Sequence, residues 1–160
     1  MAIEKVKEYF RPLGLENKIM EFDVSSATVE LAAAAIGTEG ARIAKSLTFR
    51  GTDGSCLMIV TAGDTKIDNP KFKQQFGCKA KMLSADEVLA ETGHAVGGVC
   101  PFALPESGVK VYLDKSMQRF NSVFPACGSA NSAIELDCDS LFRYSHAIEW
   151  IDVCKIPQQD

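Results

Sequence analysis

Histidine is scarce in this chain of 160 residues: His94 and His146 are its two, so catalytic designs that need an imidazole have few places to be built. No CxxC pair and no local Cys/His cluster of zinc-ligand spacing occurs, and the Walker A, GxGxxG and HExxH patterns are absent. A resident metal or nucleotide cofactor is therefore not expected. The longest uninterrupted apolar stretches, such as Leu31 to Ile36, fall far short of the roughly 20 residues of a membrane span. The opening MAIEKVKEYF is charged and has no apolar leader core, so a cytoplasmic protein without membrane contact is expected. An excess of positive charge is missing too. The net charge is −4, which removes the global electrostatic footprint of a nucleic-acid binder and leaves such contact to a local patch.

Present are 46% apolar and 24% charged residues, ordinary globular composition, in a length suited to one core. A single domain over residues 1–160 is expected. Six cysteines at irregular spacing, several inside apolar runs, read as reduced thiols acting as small hydrophobes. Lys66, Lys71, Lys73, Lys79 and Lys81 face one acid, Asp68, in the same stretch, which suits phosphates or simply a solvated helix face.

Ile3, Val6 and Phe10 share a helical face, and Met20 to Val24 reads as extended. Ser25, Ser26 and Thr28 offer cap oxygens to a helix over Val29 to Ile36 that Gly37 ends, followed by a short turn of helix at Gly40 to Ala44. Lys45 to Arg50 and Cys56 to Ala62 read as strands joined at Asp53-Gly54, the second buried on both faces. Asn69 with Pro70 starts a helix ending at Gly77, a strand follows near Ala80 to Leu83, and Ser84 with Glu87 forms a capping box for the next helix. Gly93 to Gly108 is a long Gly/Pro-rich loop, a length that is usually functional. After it come a strand at Val109 to Leu113, a helix at Asp114 to Phe120, a strand pair at Val123 to Ala126 and Ala133 to Leu136, a helix at Asp139 to Tyr144 and a strand at Ile148 to Val153. Hairpins mixed with helices favour an α+β domain with a curved, mixed sheet.

In KSLTFR, Lys45 alternates onto the same face as Leu47 and Phe49. Two readings stay open there: an ammonium that snorkels out at the strand end, or one that enters a pocket holding an anion or carbonyl. Gly97-Gly98-Val99-Cys100-Pro101 lets backbone approach a ligand and offers N–H groups to an oxyanion, and an ordinary surface turn explains it as well. The small polar cluster Gly128, Ser129, Asn131 suits a sugar or amino-acid moiety and equally suits a turn. His94 with Cys100 suggests a thiol nucleophile, but no third orienting residue is apparent.

ARIAKSLTF (41–49), TGHAVGGVCPFAL (92–104) and VFPACGSANSAIEL (123–136) together resemble, in order and spacing, the YbaK/ProX family, relatives of the editing insertion domain of bacterial prolyl-tRNA synthetases. The resemblance runs from about Met20 to Val153. It implies a mostly antiparallel, barrel-like sheet flanked by helices. It also implies hydrolysis of the ester joining a wrong small amino acid to tRNA, most often the proline tRNA, without a cofactor. The implied partners are the tRNA acceptor end and a synthetase, with the chain acting as monomer or homodimer; a non-catalytic aminoacyl-tRNA or nucleotide-binding module is the alternative. By resemblance Lys45 is the lysine at the acceptor-end pocket. Gly97 and Pro101 end a G-x-x-x-P loop, with Gly98 inside it, whose backbone serves the scissile carbonyl. Gly128, Ser129 and Asn131 belong to the substrate pocket. Ala133 stands where the cysteine-specific branch has Asp, so that substrate preference does not transfer, and Cys100 stands where relatives can carry serine.

Overall fold

Side-chain caps set most helix starts. In the computed structural model, which describes residues 2–106 and 108–157, helix α1 (Ala2–Phe10) buries Ile3, Val6 and Phe10, the face their spacing requires. Met1, Ser107 and 158–160, which the single-domain expectation and the long loop include, lie outside the described residues. Helix α2 (Val29–Ile36) starts where Thr28 Oγ1 accepts the N–H of Leu31 at 3.2 Å and stops at Gly37, whose φ of 84° favours glycine. Helix α3 (Asn69–Phe76) is capped by Asp68, one residue before the Asn69 expected, because the Asp68 carboxylate accepts the N–H of Lys71 at 3.1 Å. Helix α4 (Ala85–Thr92) has the Ser84–Glu87 capping box, and Asp137 caps α5 (Cys138–Tyr144).

The first strand, β1 (Met20–Glu21), is short; β2 (Ile43–Arg50) and β3 (Cys56–Ala62) form the expected hairpin, in register from Ala44↔Ala62 to Arg50↔Cys56. The remaining strands are β4 (Lys66–Ile67), β5 (Val109–Asp114), β6 (Phe124–Pro125), β7 (Ser132–Ala133), β8 (Trp150–Ile151) and β9 (Cys154–Lys155). Five strands make one mixed sheet in the order β6-β2-β3-β5-β8, with two-stranded sheets β1-β7 and β4-β9 beside it. The α+β, mixed-sheet expectation holds, but "mostly antiparallel" needs correction for the main sheet. Only β2–β3 is antiparallel there; the other three neighbours are parallel, since long crossovers rather than hairpins connect them. Among the described residues the sheet ends at β6 and β8, which are not hydrogen-bonded to each other as barrel closure would require.

Other expected elements are shorter than their patterns suggested. The segment at Ala80 to Leu83 contributes a single bridge, Phe49↔Met82, and Asp114 to Phe120 is a 3-10 turn at Lys115–Arg119. Ala133 to Leu136 meets Val123 at one bridge while β7 turns to β1.

Every residue of β3 is buried. On one side of the sheet Met58 and Val60 join Val6, Phe10, Phe102 and Leu141; on the other Leu57 and Ile59 pack with Phe49, Phe72 and Val153. One detail of β2 matters for the site. Strand β6 pairs with Ile43 and Ala44, and the far end is covered by Leu83 N–H to Thr48 O (3.2 Å) and Arg50 N–H to Lys81 O (3.0 Å). Between these covers, at Lys45 to Leu47, the outer edge of β2 has no strand partner among the described residues.

Candidate functional site

That uncovered edge borders a cavity of about 570 Å³. Val29 and Ala32 of α2, Val88 of α4, Gly97 and Val99 of the long loop, and Ser132 and Ala133 of β7 complete its walls. The lining is mainly apolar with a few polar groups, the usual character of a small-molecule site. Among the described residues it contains no histidine, cysteine, aspartate or glutamate.

Lys45 is the single charged residue in that lining. Its ammonium donates to the carbonyl oxygens of Thr65 and, at 3.4 Å, Gly63. An ammonium has three N–H donors, so one is left for a ligand. Those carbonyls are held in place from behind. Thr65 Oγ1 donates to Ala62 O at 2.8 Å and also lies 2.8 Å from Thr61 Oγ1, which is 3.1 Å from Ser116 Oγ. At Gly63 a Cβ would lie 2.1 Å from Gly40 O, so only glycine lets this turn press against the 3-10 turn at Gly40–Arg42. Burial pushes the Lys45 ammonium below the ordinary lysine range, opposed by the nearby Cys154, Asp64 and Glu30. Of the two roles left open by the sequence, Lys45 is half-buried at the cavity wall.

Gly97 lines the same cavity with φ of 98°, so Lys45 and the start of the glycine-rich loop meet there. The N–H of Gly98 is already used by Ala95 O at 3.0 Å, whereas those of Gly97 and Val99 have no partner among the described residues. Gly98, Pro101, Gly128, Ser129 and Asn131 do not line the cavity. Gly98 instead lets two loops touch backbone to backbone: a Cβ there would lie 2.8 Å from Ser129 N. Gly128, with φ of 91°, presses on the start of α1, where a Cβ would meet the Ala2 backbone at 2.9 Å. Ser129 Oγ donates to Asn131 Oδ1 (2.8 Å) and lies 2.7 Å from the Ser132 hydroxyl, and Asn131 Nδ2 donates to Phe22 O (3.0 Å). These residues hold the wall that carries Ser132 and Ala133. Pro101 is buried behind the loop.

The thiol reading of Cys100 loses its chemistry. Although His94 Nε2 lies 3.5 Å from Cys100 Sγ, the cysteine is fully buried and burial pushes its thiol up to about 12, the reverse of an activated nucleophile. Burial also lowers the His94 pKa, and its Nε2 is 2.8 Å from Phe102 O. In the lysine-rich segment, Lys71 pairs with Asp152 at 2.9 Å, and Lys66, Lys73, Lys79 and Lys81 are exposed. Lys81 precedes Met82 at the cavity rim.

Sequence reasoning missed Ser26, Ser46 and Thr48, all in the lining. In the sequence Ser26 is one of three cap oxygens before α2. The signal for the other two was the alternation of KSLTFR itself, which puts two small hydroxyls on the strand face opposite Lys45.

The model of the aminoacyl-tRNA editing domain family matches residues 24–144, which include Lys45, the 97–101 loop and the 128–131 turn. The chain belongs to the aminoacyl-tRNA editing domain family. Across 97% of its length this editing domain is 55% identical to the uncharacterized protein YwhH of Bacillus subtilis (strain 168), covering 98% of that protein. It is 33% identical over 92 residues, 57% of this chain, to 16% of the proline–tRNA ligase of Thermosipho melanesiensis. A crystal structure of a candidate trans-editing enzyme for prolyl tRNA synthetase superposes with a TM-score of 0.85 at 26% identity, over 96% of this chain and 97% of that one. The editing domain's matched span omits α1, yet Gly128 packs α1 directly against the turn that holds the cavity wall.

Proposed function

We propose that this editing domain is a trans-editing deacylase, working in the cytoplasm as one domain, that hydrolyses the ester between a mischarged small amino acid and tRNA, the proline tRNA foremost. The observation that carries the reading is the meeting of Lys45 and Gly97 in one cavity of a chain with editing-domain ancestry. The Lys45 N–H not taken by Gly63 and Thr65 holds the terminal nucleotide or the ester carbonyl. The free N–H groups of Gly97 and Val99 receive the oxyanion as water attacks, and the terminal ribose hydroxyl departs. With no acidic or imidazole side chain in the lining, positioning and electrostatics act on an ester that is already activated.

The test is a deacylation panel with purified protein and mischarged proline tRNA. Loss of the aminoacyl ester is expected, and Lys45→Ala should lower kcat/KM by roughly 10- to 100-fold, the worth of a charge-assisted hydrogen bond. Equal rates for the wild type, Lys45→Ala and a protein-free control would refute it; saturable tRNA binding without turnover would instead favour the non-catalytic module.

A further inference from the structure

Buried polar side-chain atoms are nearly always paired, and an exception calls for a reason. Among the described residues three such atoms have no hydrogen-bond partner: Ser26 Oγ, Ser46 Oγ and His94 Nδ1. Two of the three belong to residues lining the cavity beside Lys45. Neither position is accidental in its backbone. Ser46 sits in the middle of the uncovered edge of β2, and Ser26 is anchored by its N–H to Ala130 O.

The surroundings narrow what these hydroxyls meet. Around them the lining is apolar, with Val29, Leu83, Val88 and Val99, and alanines at 32, 126 and 133 leave width near the walls. The single charge, Lys45, repels a cationic side chain. No lining carboxylate or imidazole competes for a ligand hydroxyl. A serine hydroxyl both donates and accepts, so two of them match a partner that does the same. Each Oγ is shielded as the side chains stand, and a serine χ1 has three staggered positions between which its hydroxyl can turn.

We propose that Ser46 and Ser26 are the specificity contacts of this cavity and that they take the side-chain hydroxyl of a seryl or threonyl group on the tRNA 3′ end. This rests on the deacylase reading of the same site. An alanyl group of nearly the same size leaves both hydroxyls unpaired, and a site built for a hydroxyl rejects the analogue lacking it far more strongly than an apolar pocket rejects a missing methylene.

The experiment charges one proline tRNA body separately with serine, threonine and alanine and measures kcat/KM for each. Seryl or threonyl ester should be cleared at least about tenfold faster than alanyl ester, one or more hydrogen bonds' worth of selectivity. In the Ser26→Ala, Ser46→Ala double variant the ratio should collapse toward one. Alanyl ester cleared as fast as the others by the wild type overturns the proposal, as does a ratio unmoved in a double variant with normal thermal melting, the result expected if the hydroxyls only bind water. Calorimetry with non-hydrolysable 3′-amide analogues of seryl- and alanyl-adenosine separates this idea from its premise. Tighter binding of the seryl analogue, lost in the variant, supports the contacts even if no ester is hydrolysed and the deacylase reading fails; equal affinities overturn them.

Discussion

Adding one methyl group at Gly98 tests the claim that the glycine-rich loop is positioned by backbone contact with the 128–131 turn. The Cβ of Gly98→Ala would lie 2.8 Å from Ser129 N and 2.9 Å from both Gly128 C and Ser129 C. Carbon contacts are comfortable at about 3.5–4.0 Å, so the loops must part by more than half an ångström, roughly. The three nearest atoms are all backbone, so the closest contacts cannot be relieved by a flexible side chain. The backbone of Gly98 itself is not in the left-handed region, so the cost is steric alone, about 1–3 kcal/mol for overpacking. At about 2–4 °C per kcal/mol for a domain of this size, the melting temperature should fall by about 2–12 °C. The same displacement moves Gly97 and Val99 at the cavity, and a misplacement approaching ~1 Å costs catalysis on the order of 100-fold. Circular-dichroism melts and single-turnover deacylation read the two effects. Gly40→Ala is the comparison, because its Cβ would meet just a side-chain methyl, Val29 Cγ1, at 3.3 Å, and its shift should be smaller. A Gly98→Ala protein that melts within about 1 °C of the wild type and deacylates at the same rate would refute the loop-on-loop account.

Two further outcomes follow from ionisation. Because burial makes Lys45 release its proton below the ordinary lysine range, deacylation, corrected for spontaneous ester hydrolysis, should decline as pH rises through that lowered value. Lys45→Arg, charged throughout, should remove that alkaline decline from whatever activity it retains, and a profile identical to the wild type would contradict the role of the cation. Among the thiols, native alkylation at pH 8 should label the half-buried Cys78 and Cys138 first. Cys100, pushed up to about 12, and Cys56 and Cys154, each at about 11, should stay unmodified, as mass spectrometry of the digested protein would read.

Local chemistry was legible in the chain. Thr28 with Gly37 bounds α2 and Ser84 with Glu87 opens α4, because caps act over one turn. The Asp53-Gly54 turn fixes β2 against β3 for the same reason. The parallel neighbours were not legible: Cys56 opposite Val109 and Leu113 opposite Trp150 are joined through long connections that leave no short-range mark. The site divided along the same line. Lys45 and Gly97 stand out as oddities in their own segments, a lysine among apolar residues and a glycine pair before a proline. Ser46 and Ser26 look ordinary until the gap between β6 and Leu83 gives them a shared cavity. For Gly98 and Gly128 the residue type was informative and the role was not: both serve the packing of loop on loop and loop on helix.

The placement of β3 at the centre of the sheet, buried along its whole length, has a consequence for how the chain comes into being. Its segment CLMIVTA carries no charge, glycine or proline, the composition of a strand that readily pairs with copies of itself. Only the β2 side can be covered early, by the hairpin. Its other side waits for β5, made after α3, α4 and the long loop, so ribosome-borne chains pass through a stage with a bare, sticky edge. Folding yield, more than the stability of the finished sheet, is where substitutions in β5 should first be felt.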